Sequence, residues 1–185
     1  DIKVLDKYGV VVKGPLFDTM LAHYLINPDM RHNMDVLAET YLDYRPVSIT
    51  ELIGKKGKNQ LNMRDVPVAQ ITEYAVEDYT GRKTISEVSH LYQPVESEMA
   101  LRLFLQRLEQ QDRVCFDTET TSLNPLQAEL VGIALSWEAH KGFYLPFPED
   151  RAKADTLIQK LRPFFENEAV EKIGQNLKYD IKVLD

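Results

Sequence analysis

The sequence predicts an α/β fold, in which a mixed sheet of three antiparallel strands and two further strands is flanked by helices. Three short runs rich in β-branched and aromatic residues, RVCFDTE, ELVGIALSW and KGFYLPF, are divided by the turn-prone segments TSLNPLQ and EAHKG. This pattern is typical of an antiparallel meander. Apolar residues that recur at three and four residues predict helices before and after these strands.

The remaining elements follow from periodicity and from residues that start or stop helices. A helix is predicted over Glu98 to Gln111, and another around Leu157 and Phe164. The run EKIGQN then predicts a short strand, and Asn176 begins a helix because asparagine is a preferred cap. Three more helices are predicted at FDTMLAHYLI, NMDVLAETYL and PVAQITEYAVEDY. The lysine-bearing segment ITELIGKKGKNQLNMRD between the last two is interpreted as a solvated loop or, alternatively, as a contact for nucleic-acid backbone.

Composition limits the class of protein. With 185 residues, 44% of them hydrophobic and 28% charged, the chain is long enough to bury a core. No apolar run is long enough to span a bilayer, and the first residues do not resemble a secretory signal, so we expect a cytoplasmic protein without membrane partners. Cys115 is the single cysteine, which excludes an internal disulfide and a cysteine zinc cage, and we expect it in a buried strand. The net charge of −7 argues against a large duplex-binding surface but permits a small cleft containing metal ions.

Two acidic residues end the first strand of the predicted meander. Asp117 and Glu119 are two apart, so their carboxylates face the same side of a strand. Alone this signal is weak, because the pairs Glu96/Glu98 and Glu166/Glu168 have the same spacing. The apolar run VCF before them predicts a buried strand, and a carboxylate there loses hydration unless metal or hydrogen bonds compensate.

Two further pairs of polar residues are each four apart on predicted helices. Asn176 and Asp180 form one pair and Tyr74 and Asp78 the other, so each pair lies on one helical face. Separately, these residues are explained as a helix cap, a half-buried aromatic and two solvated acids. Together with Asp117 they predict a common site.

These residues lie in three short segments that resemble the three exonuclease motifs of family A DNA polymerases of the bacterial DNA polymerase I type. The segments are FDTET at 116–120, GQNLKYD at 174–180 and YAVED at 74–78. The resemblance covers nearly the whole chain apart from the residues near Gly81. It implies a ribonuclease H-like fold, membership of the DEDD exonucleases in their tyrosine-bearing branch, and 3′-to-5′ proofreading activity on single-stranded or frayed DNA ends.

The resemblance also implies a role for each site residue. Asp117, Glu119 and Asp78 are expected to hold one divalent metal ion and Asp180 to contribute to a second. Mg²⁺ or Mn²⁺ suits carboxylate ligands, and Zn²⁺ is an alternative. Tyr74 is expected to orient the attacking water, and a nucleoside 5′-monophosphate to leave. The residues expected to border the terminal nucleotide are Leu123, Gln175, Asn176 and Thr118; for Leu123 a plain turn residue packed on the core is the alternative.

The order of the motifs departs from the family, because YAVED comes first, and we expect no polymerase domain in this chain. The hexapeptide DIKVLD occurs at residues 1–6 and again at 180–185, which suggests a circularly permuted chain that reads through this overlap. We therefore expect one exonuclease domain over 1–185. Residues 1–80 form the C-terminal half of the family domain, 81–97 a connector and 98–185 the N-terminal half.

The duplication leaves open which aspartate completes the site: Asp180 is expected from its spacing to Asn176, and Asp1 is the alternative. Two other functions also remain open. One is a ribonuclease D-like exonuclease acting on RNA, and the other is a catalytically silent domain that binds DNA ends or has a structural role.

Overall fold

The computed structural model of the protein describes residues 2–42, 45–57, 59–77, 91–122, 127–175 and 177. Within these ranges the chain forms a single six-stranded sheet with helices packed on both of its faces. No helix in these ranges is both long and apolar enough to cross a membrane.

The sheet is mixed, and its spatial order is β1-β6-β3-β4-β5-β2. Strands β3, β4 and β5 form the predicted antiparallel meander, whereas β6 pairs in parallel with both β1 and β3. The strands are β1 (Leu16–Asp18), β2 (Leu91–Pro94), β3 (Arg113–Thr120), β4 (Leu130–Glu138), β5 (Lys141–Pro146) and β6 (Glu171–Gly174). The predicted α/β class with a mixed sheet is confirmed.

Strand β2 was not predicted, since it lies inside the segment 81–97 interpreted as a connector. It is a short edge strand that pairs in parallel with β5 and leaves most of its residues exposed. Parallel pairing at an edge depends on contacts distant in sequence, and LYQP has no clear alternation of apolar and polar residues. Tertiary structure therefore determines this strand.

Seven α-helices and one 3₁₀ turn fall within the described residues. The helices are α1 (Ile2–Asp6), α2 (Thr19–Ile26), α3 (Met34–Leu42), α4 (Ile49–Ile53), α5 (Val68–Glu77), α6 (Glu98–Leu108) and α7 (Arg151–Phe165), and the 3₁₀ turn spans Met63–Asp65. Helix α4 and the turn lie in the segment expected to be a loop. Ser48 caps α4, and Asn62 and Asp65 form a capping box around the turn, so local hydrogen bonds order this segment.

Two apolar clusters cover the two faces of the sheet. The larger cluster packs α1, α6 and α7 on one face and includes Phe116 of β3, which is 1% exposed. The smaller cluster packs α5 and the 3₁₀ turn on the other face, around Tyr144 of β5. Since successive strand residues alternate between faces, the residues next to Phe116 in β3 point toward the α5 face.

The first copy of the duplicated hexapeptide is part of the core. It forms α1, in which Val4 and Leu5 are 3% and 0% exposed, within the same cluster as Leu177. Just beyond it, the hydroxyl of Tyr8 accepts a hydrogen bond of 3.1 Å from the backbone N–H of Leu130. The second copy, 180–185, lies outside the described residues. One copy of the segment therefore fills a buried position against the sheet.

Lys172 of β6 is a fully buried cation that the sequence did not single out. Its ammonium group donates to the backbone oxygens of Lys13, at 2.6 Å, and Asn167. Loss of hydration lowers the pKa of Lys172. Nearby, Gly14 has a φ of +90°, and a Cβ there lies 2.8 Å from the backbone oxygen of Val170, so no larger residue fits at this crossing. These contacts fix the segment that leads into β1 beside β6.

Candidate active site

Strand β3 places the two predicted carboxylates on the α5 face of the sheet. Asp117 pairs with Ala134 and Glu119 with Gly132 of β4 in antiparallel register. Residues directly opposite in such a pair share a face, so the carboxylates lie beside an alanine and a glycine, the two smallest residues. Small partners leave room above β4 for a ligand or for side chains from other elements.

Thr118 lies between the two acids and has a different orientation. It pairs with Ile133, whose side chain belongs to the larger cluster on the opposite face. Strand alternation therefore directs the Thr118 side chain away from Asp117 and Glu119, and it is 9% exposed. Its backbone N–H instead donates a hydrogen bond to Asp117. Any role of Thr118 at this site is thus exerted through its backbone and not through its hydroxyl.

A cavity of about 240 Å³ lies beside Asp117. It brings together the first motif, through Asp117, and the second motif, through Gln175 at the end of β6. Its wall is formed by Thr19, Met34, Ala75, Val76, Cys115, Phe116, Asp117, Ala134, Leu135, Ser136, Ile173, Gly174 and Gln175. Cys115 lies in β3 as predicted, but it is half-buried and faces this cavity.

The Gln175 amide is held from two sides. Its oxygen accepts a hydrogen bond from the Thr19 hydroxyl at the start of α2, and its nitrogen donates to the His32 backbone oxygen at 3.1 Å. Asp18 caps α2 by accepting from the backbone N–H of Leu21 at 3.0 Å, which sets where the helix begins. Sequence reasoning missed Thr19; its signal was the cap residue immediately before it.

Helix α5 covers the carboxylate face and carries the third motif. Tyr74 is half-buried and packs against the smaller cluster, while Ala75 and Val76 line the cavity. The helix approaches the sheet closely because β5 has a glycine beneath it: a Cβ on Gly142 lies 1.8 Å from a methyl group of Val76. The Tyr74 end of α5 therefore lies on the same face of the sheet as Asp117 and Glu119.

The electrostatics of the site are dominated by burial. Loss of hydration raises the pKa of Asp117, and the hydrogen bond from the Thr118 backbone opposes that shift only in part. Glu119 is 8% exposed, so a second carboxylate lies in the same poorly hydrated environment. A divalent cation would offset both effects, and two hard oxygen donors on one face suit Mg²⁺ or Mn²⁺. The described donors thus fit the predicted metal ions.

Several predicted site residues lie outside the described residues, namely Asp78, Asp180, Asp1, Asn176 and Leu123. Their positions stay predictions. Within the described part of the chain, no group of three or more histidine, cysteine, aspartate or glutamate side chains is arranged to hold a metal. Of the four acids predicted to bind metal, that part contains only Asp117 and Glu119.

Comparison with known proteins relates this chain to an exonuclease family and to bacterial DNA polymerases I. A family model described as 3′-5′ exonuclease matches residues 1–80 and 92–185 of this chain. DNA polymerase I of Pseudomonas aeruginosa is 31% identical over 99 residues, covering 50% of this chain and 11% of that protein. DNA polymerase I of Borreliella burgdorferi is 29% identical over 136 residues, covering 71% of this chain and 14% of that protein. The chain therefore spans a small part of the length of these relatives.

Two solved structures show a partial likeness to this chain. The EXO domain of Aedes aegypti Nibbler has a TM-score of 0.40 and 19% identity, and the match covers 56% of this chain and 45% of that one. The catalytic core of RRP6 from Trypanosoma brucei has a TM-score of 0.37 and 16% identity, covering 48% of this chain and 24% of that one.

Proposed function

The chain belongs to the 3′-5′ exonuclease family, and from this premise we propose that it removes nucleotides from the 3′ end of single-stranded or frayed DNA with two divalent metal ions. Its mixed six-stranded sheet with helices on both faces is the ribonuclease H-like fold that the resemblance of its sequence motifs implied. The observation that carries the proposal is the placement of Asp117 and Glu119 on one sheet face, where Asp117 lines a cavity together with Gln175.

The acids are proposed to hold the metal ions. Asp117 and Glu119 share one ion with Asp78, and Asp180 contributes to the second. When bound, such ions stabilise the charge that develops on the attacking and leaving oxygens of an in-line displacement. The raised pKa of Asp117 favours this role, because an incoming cation restores favourable surroundings to a carboxylate that has lost hydration.

The other residues are proposed to orient the reactants. Tyr74, on the helix above the carboxylates, orients the water whose oxygen bonds to the terminal phosphorus. The bond from phosphorus to the 3′ oxygen of the preceding nucleotide then breaks, the water loses one proton to solvent while that oxygen takes one up, and a nucleoside 5′-monophosphate leaves. Gln175, fixed between Thr19 and His32, borders the terminal nucleotide with Asn176 and Leu123. Unpaired ends are preferred because pairing and stacking must be broken before the end reaches the acids.

We also propose that residues 98–185 correspond to the first half of the family domain and residues 1–80 to the second. Strands β6 and β1 are parallel neighbours, which is the relation expected for two strands joined through a helix. Val4 and Leu5 of α1 share a cluster with Leu177, which follows β6. A path from β6 through α1 to β1 accounts for these contacts.

Digestion of labelled oligonucleotides tests the activity. Single-stranded DNA with a 5′ label should be shortened to a ladder in the presence of Mg²⁺ or Mn²⁺, with nucleoside 5′-monophosphates as products. The double variant Asp117→Ala, Glu119→Ala should leave the DNA intact. The matched control is Glu96→Ala, Glu98→Ala, an acidic pair of the same spacing on the exposed surface, which should retain activity.

Two results would contradict the proposal. Digestion of RNA but not DNA would identify a ribonuclease instead. No shortening of either polymer with either metal, by a folded wild-type protein, would leave a silent domain.

A further inference from the structure

Tyr144 of β5 is fully buried, yet its hydroxyl has no hydrogen-bond partner among the described residues. Buried side-chain polar atoms in native structures nearly always have a partner, either in the protein or in a bound species. An unpaired hydroxyl in the interior is therefore a sign that a partner approaches it in another state of the protein. The residues around it indicate which partner that is.

The hydroxyl occupies the space above Gly132 of β4. An ideal Cβ on Gly132 lies 2.1 Å from the Tyr144 hydroxyl oxygen, so any other residue at 132 collides with the ring. Gly132 is the residue directly opposite Glu119 in the antiparallel ladder. The Cβ positions of such opposite residues are about 4.5–5.5 Å apart on the same face. The hydroxyl is thus located where the side chain facing Glu119 would begin.

The register of β5 leads to the same location. Tyr144 pairs with Ala134, and Ala134 pairs with Asp117, so these residues form one row on the α5 face. From this row the ring leans along β4 toward Gly132 and the neighbouring row of Glu119. Tyr144 therefore lies on the carboxylate face of the sheet, next to both acids.

At neutral pH the Tyr144 hydroxyl carries its proton, because the ordinary pKa of a tyrosine hydroxyl is about 10. Burial, and then the negative charge of Glu119, raise the pKa of Tyr144 well above its ordinary value, while Arg64 acts in the opposite direction. The Arg64 guanidinium is held at the N-terminal end of β4, opposite Thr120, by a hydrogen bond of 2.9 Å that it donates to the Leu130 backbone oxygen. A protonated phenol next to a carboxylate acts as a donor.

We propose that the Tyr144 hydroxyl donates a hydrogen bond to the Glu119 carboxylate and thereby positions it to bind metal. This inference rests on the proposed function, because it assigns a positioning residue to the same metal site. One oxygen of Glu119 is then held by the phenol and the other is turned toward the ion. Hydrogen bonds of this kind to metal-binding carboxylates fix their orientation, and losing one reduces metal affinity about 10- to 100-fold.

The test is a titration of wild-type protein and of Tyr144→Phe with Mn²⁺ in the absence of substrate. The melting temperature is measured by thermal unfolding at each Mn²⁺ concentration. Phenylalanine keeps the ring over Gly132 and removes only the hydroxyl. The variant should need about tenfold more Mn²⁺ than wild type to reach the same rise in melting temperature above its own metal-free value. Its melting temperature without metal should be equal to or higher than that of wild type, since an unpaired buried hydroxyl has been removed.

Tyr8→Phe is the matched control, because Tyr8 is also a buried tyrosine but its hydroxyl already accepts from Leu130. This variant should melt lower without metal and respond to the same Mn²⁺ concentration as wild type. Equal Mn²⁺ response of wild type and Tyr144→Phe would overturn the role of Tyr144 alone. No Mn²⁺ response of the wild-type protein would overturn the metal site itself, and the role of Tyr144 with it.

Discussion

Replacing Asp117 by asparagine should make the metal-free protein more stable while abolishing nuclease activity. The carboxyl group is half-buried in β3, and loss of hydration raises its pKa above the ordinary value of 3.8. A raised pKa means that the folded protein binds this proton more tightly than the unfolded chain. The stability that this tighter proton binding gives to the folded protein is fully present below pH 3.8, and it is lost as the pH rises through the pKa that Asp117 has in the folded protein. At pH 7 the ionised carboxylate is therefore a net destabilising group.

The size of the effect follows from the surroundings of Asp117. A fully buried, unpaired charge costs several kcal/mol, but this carboxyl is only half-buried and accepts the Thr118 backbone N–H. We therefore expect a gain of about 1–2 kcal/mol, since asparagine removes the charge and keeps an oxygen to accept that hydrogen bond. For a chain of this length, 1 kcal/mol shifts the melting temperature by about 2–4 °C, so a rise of roughly 2–8 °C is predicted.

The assay is thermal unfolding with a metal chelator at pH 7, and again at decreasing pH. The advantage of Asp117→Asn over wild type should shrink as the pH falls toward 3.8. Added Mn²⁺ should reverse the order, because wild type alone gains about 2.7 kcal/mol at a metal concentration 100 times its dissociation constant. Asp155→Asn is the control, an exposed acid paired with Arg151, and should change stability little. A chelated Asp117→Asn protein that melts at or below the wild-type temperature would refute this reasoning.

Three further outcomes are expected. Leu5→Ala should lower the free energy of unfolding by about 2–5 kcal/mol in a denaturant titration, because Leu5 is fully buried. The same change at Leu184 in the second hexapeptide should have the smaller effect, since Leu5 already fills that core position; equal losses would contradict this. Lys172→Met should abolish a rise in stability that wild type shows as the pH approaches 10.5, because burial lowers the pKa of Lys172. Parallel pH profiles of the two proteins would contradict that. Gly142→Ala should cost about 1–3 kcal/mol by displacing Val76, and should reduce activity through α5; wild-type melting and activity would contradict this packing.

The sequence predicted most of the fold because its signals are local. Strands β3, β4 and β5 are marked by apolar runs between turn residues, and α5, α6 and α7 by apolar spacing, so their existence follows from short windows of sequence. Strand β2 could not be found this way, since its pairing with β5 depends on a contact some fifty residues away. Helix α4 is five residues long and was missed because it is shorter than the windows in which periodicity is visible.

The candidate site was predictable to the extent that it is written in motifs. Asp117, Glu119 and Tyr74 were proposed for the site because strand and helix spacing puts each on a definite face and because their motifs resemble those of the exonuclease family. Thr19 and Tyr144 were not predicted from the sequence, because neither belongs to a motif and each is brought to this region only by the packing of the fold. Tyr144 in particular depends on the absence of a side chain at Gly132 of another strand. Such complementarity between distant residues is visible only in three dimensions.

The most direct test of the proposed site is a crystal structure of the protein with Mn²⁺ and a nucleoside 5′-monophosphate, with anomalous scattering used to locate manganese. We predict a manganese peak at coordination distance, about 2.0–2.3 Å, from carboxylate oxygens of both Asp117 and Glu119, with the nucleotide phosphate bound to it and its base near Gln175. A map in which manganese binds elsewhere, or in which the two carboxylates remain without metal at saturating Mn²⁺, would contradict the account.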